Sequence, residues 1–540
     1  MIDFSMAFKN KLFWAASLLL APVFLQVFYT GFSFFDFDNH KWLTYKGYRL
    51  SLMLCWYLII IGLVHLFRIK LSYLAAPIFI SLSVFMYSLL TREDVEYEVF
   101  AAIANTTTSE AVEFFSTYLF IVPLLFSLII FSIIYLLILN TKEQNFRSKK
   151  MAILLLILGL LGLSSSYVFS RDTLYKTYPL SIPFYAKNYY KEIVVFKKNF
   201  NNINYTFQGV IDSSEDLNTC LLVIGETARQ QSMSIYGYER DTTPNMQEAI
   251  ANNQLKAARY KATSAGVSTR LSVPLLLSTA NSDDFSNLAK QPTLRHIFNE
   301  VDIQTALLSN QEIAGRNNDI IALILNGMND LTYLSESDVT RGYDIDLVPH
   351  IEDAFQKQTS SMFLVLHLMG SHWKYDHRYP DSFSYFNEGD YRVDTYDNSI
   401  RYTDHVLGEI IKVMEKSNRP LCLVYTSDHG ENLNDVGDGN YLHAIKEMTE
   451  YEVKVPFVFV SNQAFYNRNK DKVDRMLSQQ SSLVSHDNIS HTLLGLMGVY
   501  DQNAYKESYD LSSASFQTST RSSINRRGET IDVDHYLEPK

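Results

Sequence analysis

The sequence predicts a multi-pass α-helical membrane domain followed by an α/β domain with a mostly parallel central sheet. Two observations lead to this prediction. The first 170 residues contain long apolar runs, and the rest of the 540-residue chain alternates short apolar runs with helical patterns. Such alternation is typical of a parallel sheet covered by helices. A chain of this length is expected to hold two or more domains.

Five apolar runs near the N-terminus each approach the ~20 residues that a helix needs to cross ~30 Å of hydrocarbon. Five such runs in series favour membrane spans over the buried helices of a soluble protein. No small-residue cleavage site is evident at the first run, which favours a retained helix over a signal peptide. The predicted spans are 12–35, 50–67, 71–90, 117–139 and 151–169.

The charges of the loops orient these spans, because cytoplasmic loops carry an excess of Lys and Arg. Basic residues precede the first span and separate spans two and three and spans four and five, whereas the loop between spans three and four is acidic. Lys41, Lys46 and Arg49 in the first outside loop are a mild conflict. With the N-terminus inside and five spans, we expect the chain after about residue 170 to lie outside, which in a bacterium, at the inner membrane, means the periplasm.

Composition divides the chain into four predicted parts. Residues 1–170 form a five-helix transmembrane domain, and 171–215, rich in Tyr, Lys and Asn, are expected to be a linker along the membrane surface. Residues 216–512 form the periplasmic α/β domain, and 513–540 a polar, loosely held tail. The lipid bilayer is an expected partner. The net charge of −11 argues against nucleic acid.

Three cysteines are too few for a disulfide framework. Cys55 lies in a predicted span, and Cys220 and Cys422 lie in apolar, strand-like runs. We interpret them as buried free thiols. A Cys220–Cys422 bridge stays open only if the two strands are neighbours with suitable geometry.

Three strand-like runs end close to residues that can do chemistry. Glu226 follows the run 220–224 after one glycine, and Asp428 and His429 follow the run 421–426. Side chains just past the carboxyl ends of parallel strands converge in one crevice, and carboxylates with histidine there suit zinc. The run 362–366 is the third, strands are also predicted at 303–308 and 455–460, and helices at 294–300, 347–356, 396–415 and 490–497.

Two hydroxyls, Ser268 and Thr269, precede Pro274. Because proline favours the first turn of a helix, these hydroxyls are expected near a helix N-terminus, where phosphate charge is stabilised. A threonine hydroxyl is a poor nucleophile until a metal lowers its pKa. The alternative that either residue only caps the helix stays open.

The histidines after the strand-like runs are candidates for handling phosphate. His372 and His443 are candidates for holding the transferred group or for protonating the leaving group. His367 falls inside an apolar run, and we interpret it as a hydrogen-bonded core residue. His486 belongs to no motif that these arguments single out.

Taken in order, the segments resemble one family, the membrane-bound phosphoethanolamine transferases that modify bacterial cell-envelope glycans. The resemblance covers nearly the whole chain, and its most specific stretch is Gly-Glu-Thr-Ala-Arg at 225–229 followed by Tyr-Gly-Tyr-Glu-Arg-Asp-Thr-Thr-Pro at 236–244. The family's catalytic domain is similar to alkaline phosphatases and sulfatases. Further similar segments are 272–274, 366–372, 396–398, 402–404, 427–431, 441–443 and 486–488.

The resemblance implies roles for particular residues and a zinc cofactor. Thr269 would be the nucleophile that carries the phosphoethanolamine group, and His372 and His443 would contact that group. In the family, a Thr and a Glu in the loop between the third and fourth spans help bind the lipid headgroup. Thr106 and Glu110 match these two residues. The implied zinc ligands are Glu226, Thr269, Asp428 and His429.

The implied reaction moves phosphoethanolamine from phosphatidylethanolamine to lipopolysaccharide lipid A or core, or to a related glycan, through a phosphoethanolamine-threonine intermediate. The acceptor is left open, because Ala265 and Leu275 stand where lipid A-modifying members often have cysteines, and Ala102 where many relatives have Asn. The family has a basic residue just after the position of Asn310-Gln311. In this chain that residue is shifted, and Arg316 is the nearest candidate. The alternatives are a phosphoglycerol transferase, a sulfatase- or phosphatase-like hydrolase of the same superfamily, and a non-enzymatic scaffold.

Overall fold

The structure is a computed structural model that describes residues 181–212, 218–252, 254–311, 320–334, 342–437, 439–444 and 447–538, with scattered residues between 55 and 164. The chain forms two compact units, Met1–Lys191 and Glu192–Lys540. Within these described ranges, no helix combines the length and the apolar character needed to span a bilayer. Most of the five predicted spans, and Thr106, Glu110 and Arg316, lie outside the described residues.

The second unit is built on a mixed sheet of eight strands, in the order β11-β3-β10-β7-β2-β6-β4-β5. The five strands from β7 to β5 run parallel, β10 is antiparallel to both of its neighbours, and β11 is parallel to β3. The mostly parallel sheet expected from the sequence is therefore confirmed. Its strands are β2 (Thr219–Gly225), β3 (Leu255–Thr263), β4 (Gln304–Ser309), β5 (Asp330–Tyr333), β6 (Met362–His367), β7 (Leu421–Ser427), β10 (Lys454–Asn462) and β11 (Leu483–Ser485).

The central strands form where the sequence is continuously apolar. Every residue of β2, β6 and β7 is buried, as expected for strands covered by helices on both faces. Strand β3 was not predicted from the sequence, because three charged residues interrupt its apolar residues in Leu-Lys-Ala-Ala-Arg-Tyr-Lys-Ala-Thr and leave no continuous apolar run. The described residues of this unit also form three two-stranded sheets: β1 (Gly209–Ile211) with β12 (Val499–Asp501), β8 (Asn432–Leu433) with β9 (Tyr441–Leu442), and β13 (Ser522–Ile524) with β14 (Thr530–Asp532).

The four helices expected from the sequence are present, with shifted bounds for three of them. The longest, α7, begins after Asp390, whose carboxylate accepts hydrogen bonds from the backbone N–H groups of Arg392 and Val393. The described helices are α1 (Ser181–Asn201), α2 (Pro244–Ala251), α3 (Thr269–Leu276), α4 (Leu294–Glu300), α5 (Ile320–Leu325), α6 (Val348–Lys357), α7 (Tyr391–Lys416), α8 (Glu450–Val453), α9 (Gln463–Arg468), α10 (Lys470–Ser478), α11 (Asp487–Leu496) and α12 (Val533–Tyr536).

Two local expectations about helices differ from the structure. The 21-residue helix α1 occupies a large part of the segment 171–215 that was expected to be a linker. Pro274 lies inside α3 and not in its first turn, because α3 already begins at Thr269. The expectation that the hydroxyls lie near a helix N-terminus is nevertheless correct, since Ser268 is the N-cap residue and Thr269 is the first helical residue.

The expectation of a loosely held tail is wrong. Residues 513–540 contribute β13, β14 and α12, and Ser523 and Ile524 are buried. The N–H of Ile524 donates to the carbonyl of Ala265 (2.9 Å), and the N–H of Val267 donates to the carbonyl of Ile524 (3.1 Å). The tail is ordered because its backbone pairs with the segment that leads into α3, a partner far away in the sequence.

The interpretation of Cys220 and Cys422 as free thiols is also wrong. Strands β2 and β7 are neighbours, and their register places the two cysteines opposite each other with Cα atoms 4.8 Å apart. A disulfide joins them, and both residues are fully buried. The choice between thiol and disulfide depended on strand order and register, which apolar patterns alone do not determine.

Candidate metal and phosphotransfer site

The carboxyl ends of β2 and β7 bring three buried metal-ligand side chains together. Glu226 directly follows β2, and Asp428 and His429 directly follow β7. One ligand atom from each lies within 4.8 Å of the others. Thr269 begins α3, and its Oγ1 lies 3.2 Å from a Glu226 carboxylate oxygen and 3.3 Å from His429 Nε2. The four residues proposed as ligands from the sequence are thus adjacent.

The distances within this cluster suit a small divalent cation. His429 Nε2 lies 3.4 Å from a carboxylate oxygen of Glu226 and 3.4 Å from Asp428 Oδ2. Tetrahedral zinc with bonds of about 2.0–2.1 Å separates its ligands by about 3.3 Å, which matches these distances. Asp428 Oδ2 is buried and has no hydrogen-bond partner among the described residues. The residues present therefore fit a zinc ion bound by oxygen and nitrogen.

The buried negative charge of the cluster also favours a bound cation. Burial, together with the charge of Asp428, raises the pKa of Glu226 well above its usual value. Two buried carboxylates this close are costly without a compensating positive charge. The hydroxyl of Thr227 donates to Glu226 (2.6 Å), and the backbone N–H groups of Thr227 and His429 donate to Asp428 Oδ1 (3.0 and 2.7 Å).

His429 is held in the form that ligates metals. Its Nδ1 lies 2.9 Å from the carbonyl of Gly430, so Nδ1–H donates there and Nε2 faces Thr269 and the carboxylates with a free lone pair. Burial lowers the pKa of His429 to about 4, which keeps the imidazole neutral near pH 7.

A turn after β6 lies directly against the Glu226 backbone. The N–H of Ser371 donates to the carbonyl of Glu226 (2.9 Å), and Gly370 adopts a left-handed conformation with φ of 49°. A Cβ atom at Gly370 would lie 2.7 Å from the Glu226 nitrogen, so only glycine allows this approach. The turn carries His372, whose Nδ1 lies 2.8 Å from the carbonyl of Trp373.

His443 lies next to the cluster. Its ring centre is 4.0 Å from that of His429, and its Nδ1 is 3.3 Å from the buried carboxylate of Glu431. Burial is the largest single effect and disfavours the charged imidazole, but Glu431 together with Asp428 and Glu452 outweighs it and raises the pKa of His443. Tyr375 donates its hydroxyl to the other oxygen of Glu431 (3.1 Å), which holds the carboxylate in place.

Two further residues, Gln311 and His486, support the site, and their contacts were not predicted from the sequence. Gln311 donates from Nε2 to the carbonyl of Leu368 (2.9 Å) and lies 3.4 Å from Glu226. His486 joins the segment before α3 to β7: its Nδ1 lies 3.1 Å from the Ala265 N–H, and its Nε2 lies 3.1 Å from Thr426 Oγ1. The similarity of segment 486–488 to the family was the sequence signal for His486, but it does not indicate which residues His486 contacts.

His367 is buried, as expected for a core residue. Its Nε2, however, has no hydrogen-bond partner among the described residues. The expectation of a core histidine is therefore correct for its burial, whereas Nε2 does not make the expected hydrogen bond with any described residue. Burial lowers the pKa of His367 to about 4.

The motifs at 236–244 and 396–398 hold one another. Asp397 accepts hydrogen bonds from Tyr238 (2.8 Å) and Arg240 (2.9 Å). Tyr396 donates its hydroxyl to the carbonyl of Thr227 (2.7 Å), next to Glu226. These motifs therefore connect α7 to the loop after β2 and support the cluster without forming it.

The site combines buried oxygen and nitrogen ligands with a threonine hydroxyl at the ends of strands in a mostly parallel sheet. This arrangement is typical of metal-dependent enzymes that cleave or transfer esters. The family model described as Sulfatase matches residues 218–499, more than half of the chain. The chain therefore belongs to the sulfatase family.

Curated relatives agree with this assignment. The chain is 28% identical over 400 residues to YhbX of Escherichia coli K12, which covers 70% of this chain and 71% of YhbX. It is 27% identical over 309 residues to the phosphoethanolamine transferase EptA of Helicobacter pylori, covering 54% of this chain and 56% of that relative. The chain thus spans little more than half the length of that EptA. The resemblance to phosphoethanolamine transferases is confirmed, and these relatives support an enzyme of the phosphotransferase class.

Solved structures show the same fold. The integral membrane lipooligosaccharide phosphoethanolamine transferase A of Neisseria meningitidis superposes with a TM-score of 0.68 at 18% identity, covering 92% of this chain and 97% of that one. The periplasmic domain of EptC from Escherichia coli, in complex with Zn, gives 0.57 at 22% identity and covers 61% and 96%. The expected phosphatase- and sulfatase-like domain is thereby confirmed.

Proposed function

We propose that this protein transfers phosphoethanolamine from phosphatidylethanolamine to a cell-envelope acceptor, namely lipopolysaccharide lipid A or core or a related glycan. Thr269 is the nucleophile and carries the group as a phosphoethanolamine-threonine intermediate. One observation carries the proposal: the Thr269 hydroxyl touches a buried carboxylate and a neutral histidine that are both suited to bind a metal. The relatives named phosphoethanolamine transferases support the choice of group.

The proposed cofactor is zinc, held by Glu226, Thr269, Asp428 and His429. When bound, it would lower the pKa of the threonine hydroxyl and offset the charge of the two carboxylates. A Zn complex of the related EptC domain supports this choice of ion. The position of Thr269 at the start of α3 adds helix N–H groups and the helix dipole, which favour phosphate charge.

In the first step, Thr269 Oγ releases its proton to solvent and forms a bond to phosphorus, and the bond from phosphorus to the glycerol oxygen breaks. Diacylglycerol leaves after its oxygen receives a proton, for which His443 beside Glu431 is the proposed donor. In the second step, an acceptor oxygen forms the new bond to phosphorus and the bond from phosphorus to Thr269 Oγ breaks. A proton from the acceptor or from solvent restores the Thr269 hydroxyl. His372, on the turn that touches Glu226, is proposed to hold the transferred group.

The proposed location is the bacterial inner membrane, with the catalytic domain in the periplasm. The predicted spans would keep the enzyme where the acyl chains of the donor lie, so that lateral diffusion delivers it. Thr106 and Glu110 are proposed to contact the donor headgroup. The Cys220–Cys422 disulfide supports an oxidising compartment such as the periplasm.

The mass of the protein after incubation with phosphatidylethanolamine tests the proposal. We expect the zinc-loaded full chain in detergent to gain one phosphoethanolamine group on Thr269, located by peptide mapping, and to release diacylglycerol. Thr269→Ala is expected to gain none, whereas Thr269→Ser, which keeps the hydroxyl, is expected to retain part of the reaction. Chelation should abolish the gain, and added zinc should restore it.

Ser268→Ala is the matched control, because Ser268 is the neighbouring hydroxyl and makes no side-chain cap hydrogen bond. It is expected to form the adduct at close to the wild-type level. An adduct on Ser268, or full turnover by Thr269→Ala, would refute the nucleophile assignment. A phosphoglycerol adduct formed from phosphatidylglycerol, with none from phosphatidylethanolamine, would replace the proposed donor.

A further inference from the structure

A stacked arginine lies beside the segments that carry His372 and His443. The guanidinium carbon of Arg392, in the first turn of α7, is 3.8 Å from the ring centre of Tyr441 and 5.3 Å from that of Trp373. Trp373 directly follows His372, and Tyr441 lies two residues before His443. Two aromatic rings thus hold one guanidinium group next to both histidine segments.

A series of direct contacts joins this arginine to the metal-ligand cluster. The Trp373 ring packs edge-on against Tyr375, with ring centres 5.0 Å apart. Tyr375 donates to Glu431 (3.1 Å), and Glu431 lies 3.3 Å from His443. The His443 ring in turn lies 4.0 Å from that of His429. Arg392 therefore belongs to the same network of contacts as His443 and His429.

The hydrogen-bonding edge of Arg392 has no protein acceptor within the described part of the chain. The backbone N–H of Arg392 donates to Asp390, but its side chain makes no hydrogen bond or ion pair there. Arg401, on the same helix, is stacked on Tyr385 at 4.2 Å and does pair with Asp241 (3.1 Å). A cation in the first turn also opposes the helix dipole, so helix stability does not account for Arg392.

We propose that Arg392, held by Trp373 and Tyr441, is an anion-binding subsite that receives a phosphate group of the acceptor. A guanidinium group stacked on aromatic rings keeps its in-plane N–H groups for two phosphate oxygens. The ammonium group of the donor would be repelled by this cation, and the donor phosphate must reach Thr269. The remaining anion is therefore one that the acceptor carries.

This inference rests on the proposed function, and it narrows the class of acceptor to glycans that carry a phosphate group. A glycan that bears a phosphate near the modified oxygen would be preferred over a neutral glycan. Because the whole chain carries a net charge of −11, a cationic position beside the site favours the approach of such an acceptor.

The subsite is tested by comparing two acceptors. The zinc-loaded full chain carrying the phosphoethanolamine adduct is mixed with glucose 1-phosphate or with glucose, and the rate of adduct loss is measured against acceptor concentration. We expect wild-type protein to prefer glucose 1-phosphate, and Arg392→Gln to lower the ratio of the two efficiencies at least about tenfold, since charge-assisted hydrogen bonds are lost. Arg392→Lys is expected to give an intermediate ratio.

Arg401→Gln is the matched control, since it removes another stacked arginine of α7, and it is expected to keep the wild-type ratio. Calorimetric titration with glucose 1-phosphate provides a readout that needs no transfer, and Arg392→Gln should bind at least about tenfold more weakly than wild type. Equal binding of glucose 1-phosphate by wild type, Arg392→Gln and Arg401→Gln would refute the proposed subsite. Binding that depends on Arg392, with no adduct on wild-type protein, would overturn the proposed function alone.

Discussion

At the scale of single residues, the site depends on side chains that act far from their own place in the sequence. Asp404 in α7 accepts hydrogen bonds from the backbone N–H groups of Asn245 (2.8 Å) and Met246 (2.9 Å), the first turn of α2. A carboxylate there satisfies helix N–H groups that have no partner within the helix. The motif at 402–404 therefore has a structural role, and it holds α2 against α7.

The pH dependence of stability tests this view of Asp404. Burial raises its pKa to about 6 from 3.8, so the folded protein binds a proton more tightly than the unfolded chain. The stability that this carboxyl contributes is therefore full below about pH 4 and is lost as pH rises through about 6, on the order of 2–3 kcal/mol. In thermal unfolding of the full chain, we expect the melting temperature of wild type to fall relative to that of Asp404→Asn between pH 4 and pH 7.

Asp353→Asn serves as the control for that measurement, because Asp353 is an exposed aspartate on α6. Its melting temperature is expected to follow that of wild type across the same pH range. A difference between wild type and Asp404→Asn that does not change with pH would show that Asp404 does not titrate in this window.

At the scale of elements, His486 fixes the segment before α3 to the strand that carries the ligands. Its Nδ1 accepts from the N–H of Ala265, so its Nε2–H donates to Thr426 Oγ1, whose hydroxyl donates to the carbonyl of Pro456 (2.8 Å). This arrangement assigns the tautomer and satisfies both ring nitrogens. It ties the start of α3, where Thr269 lies, to β7 and β10, and so makes His486 a positioning residue.

Loss of this link is expected to affect turnover more than binding. His486→Ala should lower kcat about ten- to a hundredfold, because small displacements of a nucleophile have large effects on rate. KM should change much less. His486→Asn should recover part of the loss, since its amide oxygen can accept from Ala265. Steady-state kinetics with phosphatidylethanolamine, together with zinc content, measure these effects.

His491→Ala provides the comparison, because His491 is an equally buried histidine of α11 whose Nδ1 accepts from the N–H of Lys506 (3.2 Å) and not from the segment before α3. An equal loss of kcat in the His486 and His491 variants would indicate general destabilisation and would contradict a positioning role for His486.

At the scale of the whole molecule, one covalent bond joins the two strands that present the metal ligands. Cys220 and Cys422 are 202 residues apart, and their disulfide links β2 to β7 near the ends opposite to Glu226 and Asp428. Closing so long a loop restricts the unfolded chain, an effect of about 2–5 kcal/mol in typical cases. The disulfide is expected to stabilise the sheet on which the site is built.

Thiol labelling of the denatured full chain tests the disulfide. Without reductant, we expect a maleimide to label Cys55 alone, and after reduction to label all three cysteines, as read by peptide mass spectrometry. The Cys220→Ala/Cys422→Ala variant is expected to melt at a lower temperature than wild type. Labelling of Cys220 and Cys422 without reductant would restore the free-thiol interpretation.

The sequence by itself determined the elements whose signals are local. Continuous apolar runs marked β2, β6 and β7, and the residues just after β2 and β7 include Glu226, Asp428 and His429. Because the ends of parallel strands meet at one edge of a sheet, the composition of the cluster followed from these local patterns.

Only the tertiary structure decided how distant segments meet. The Cys220–Cys422 pairing, the ordered tail beside Ala265 and the stacking of Arg392 on Tyr441 all depend on strand order and on contacts between residues far apart in the chain. Local periodicity reports which face of an element is buried. It does not report which other element covers that face, and that choice is made by the packing of the whole domain.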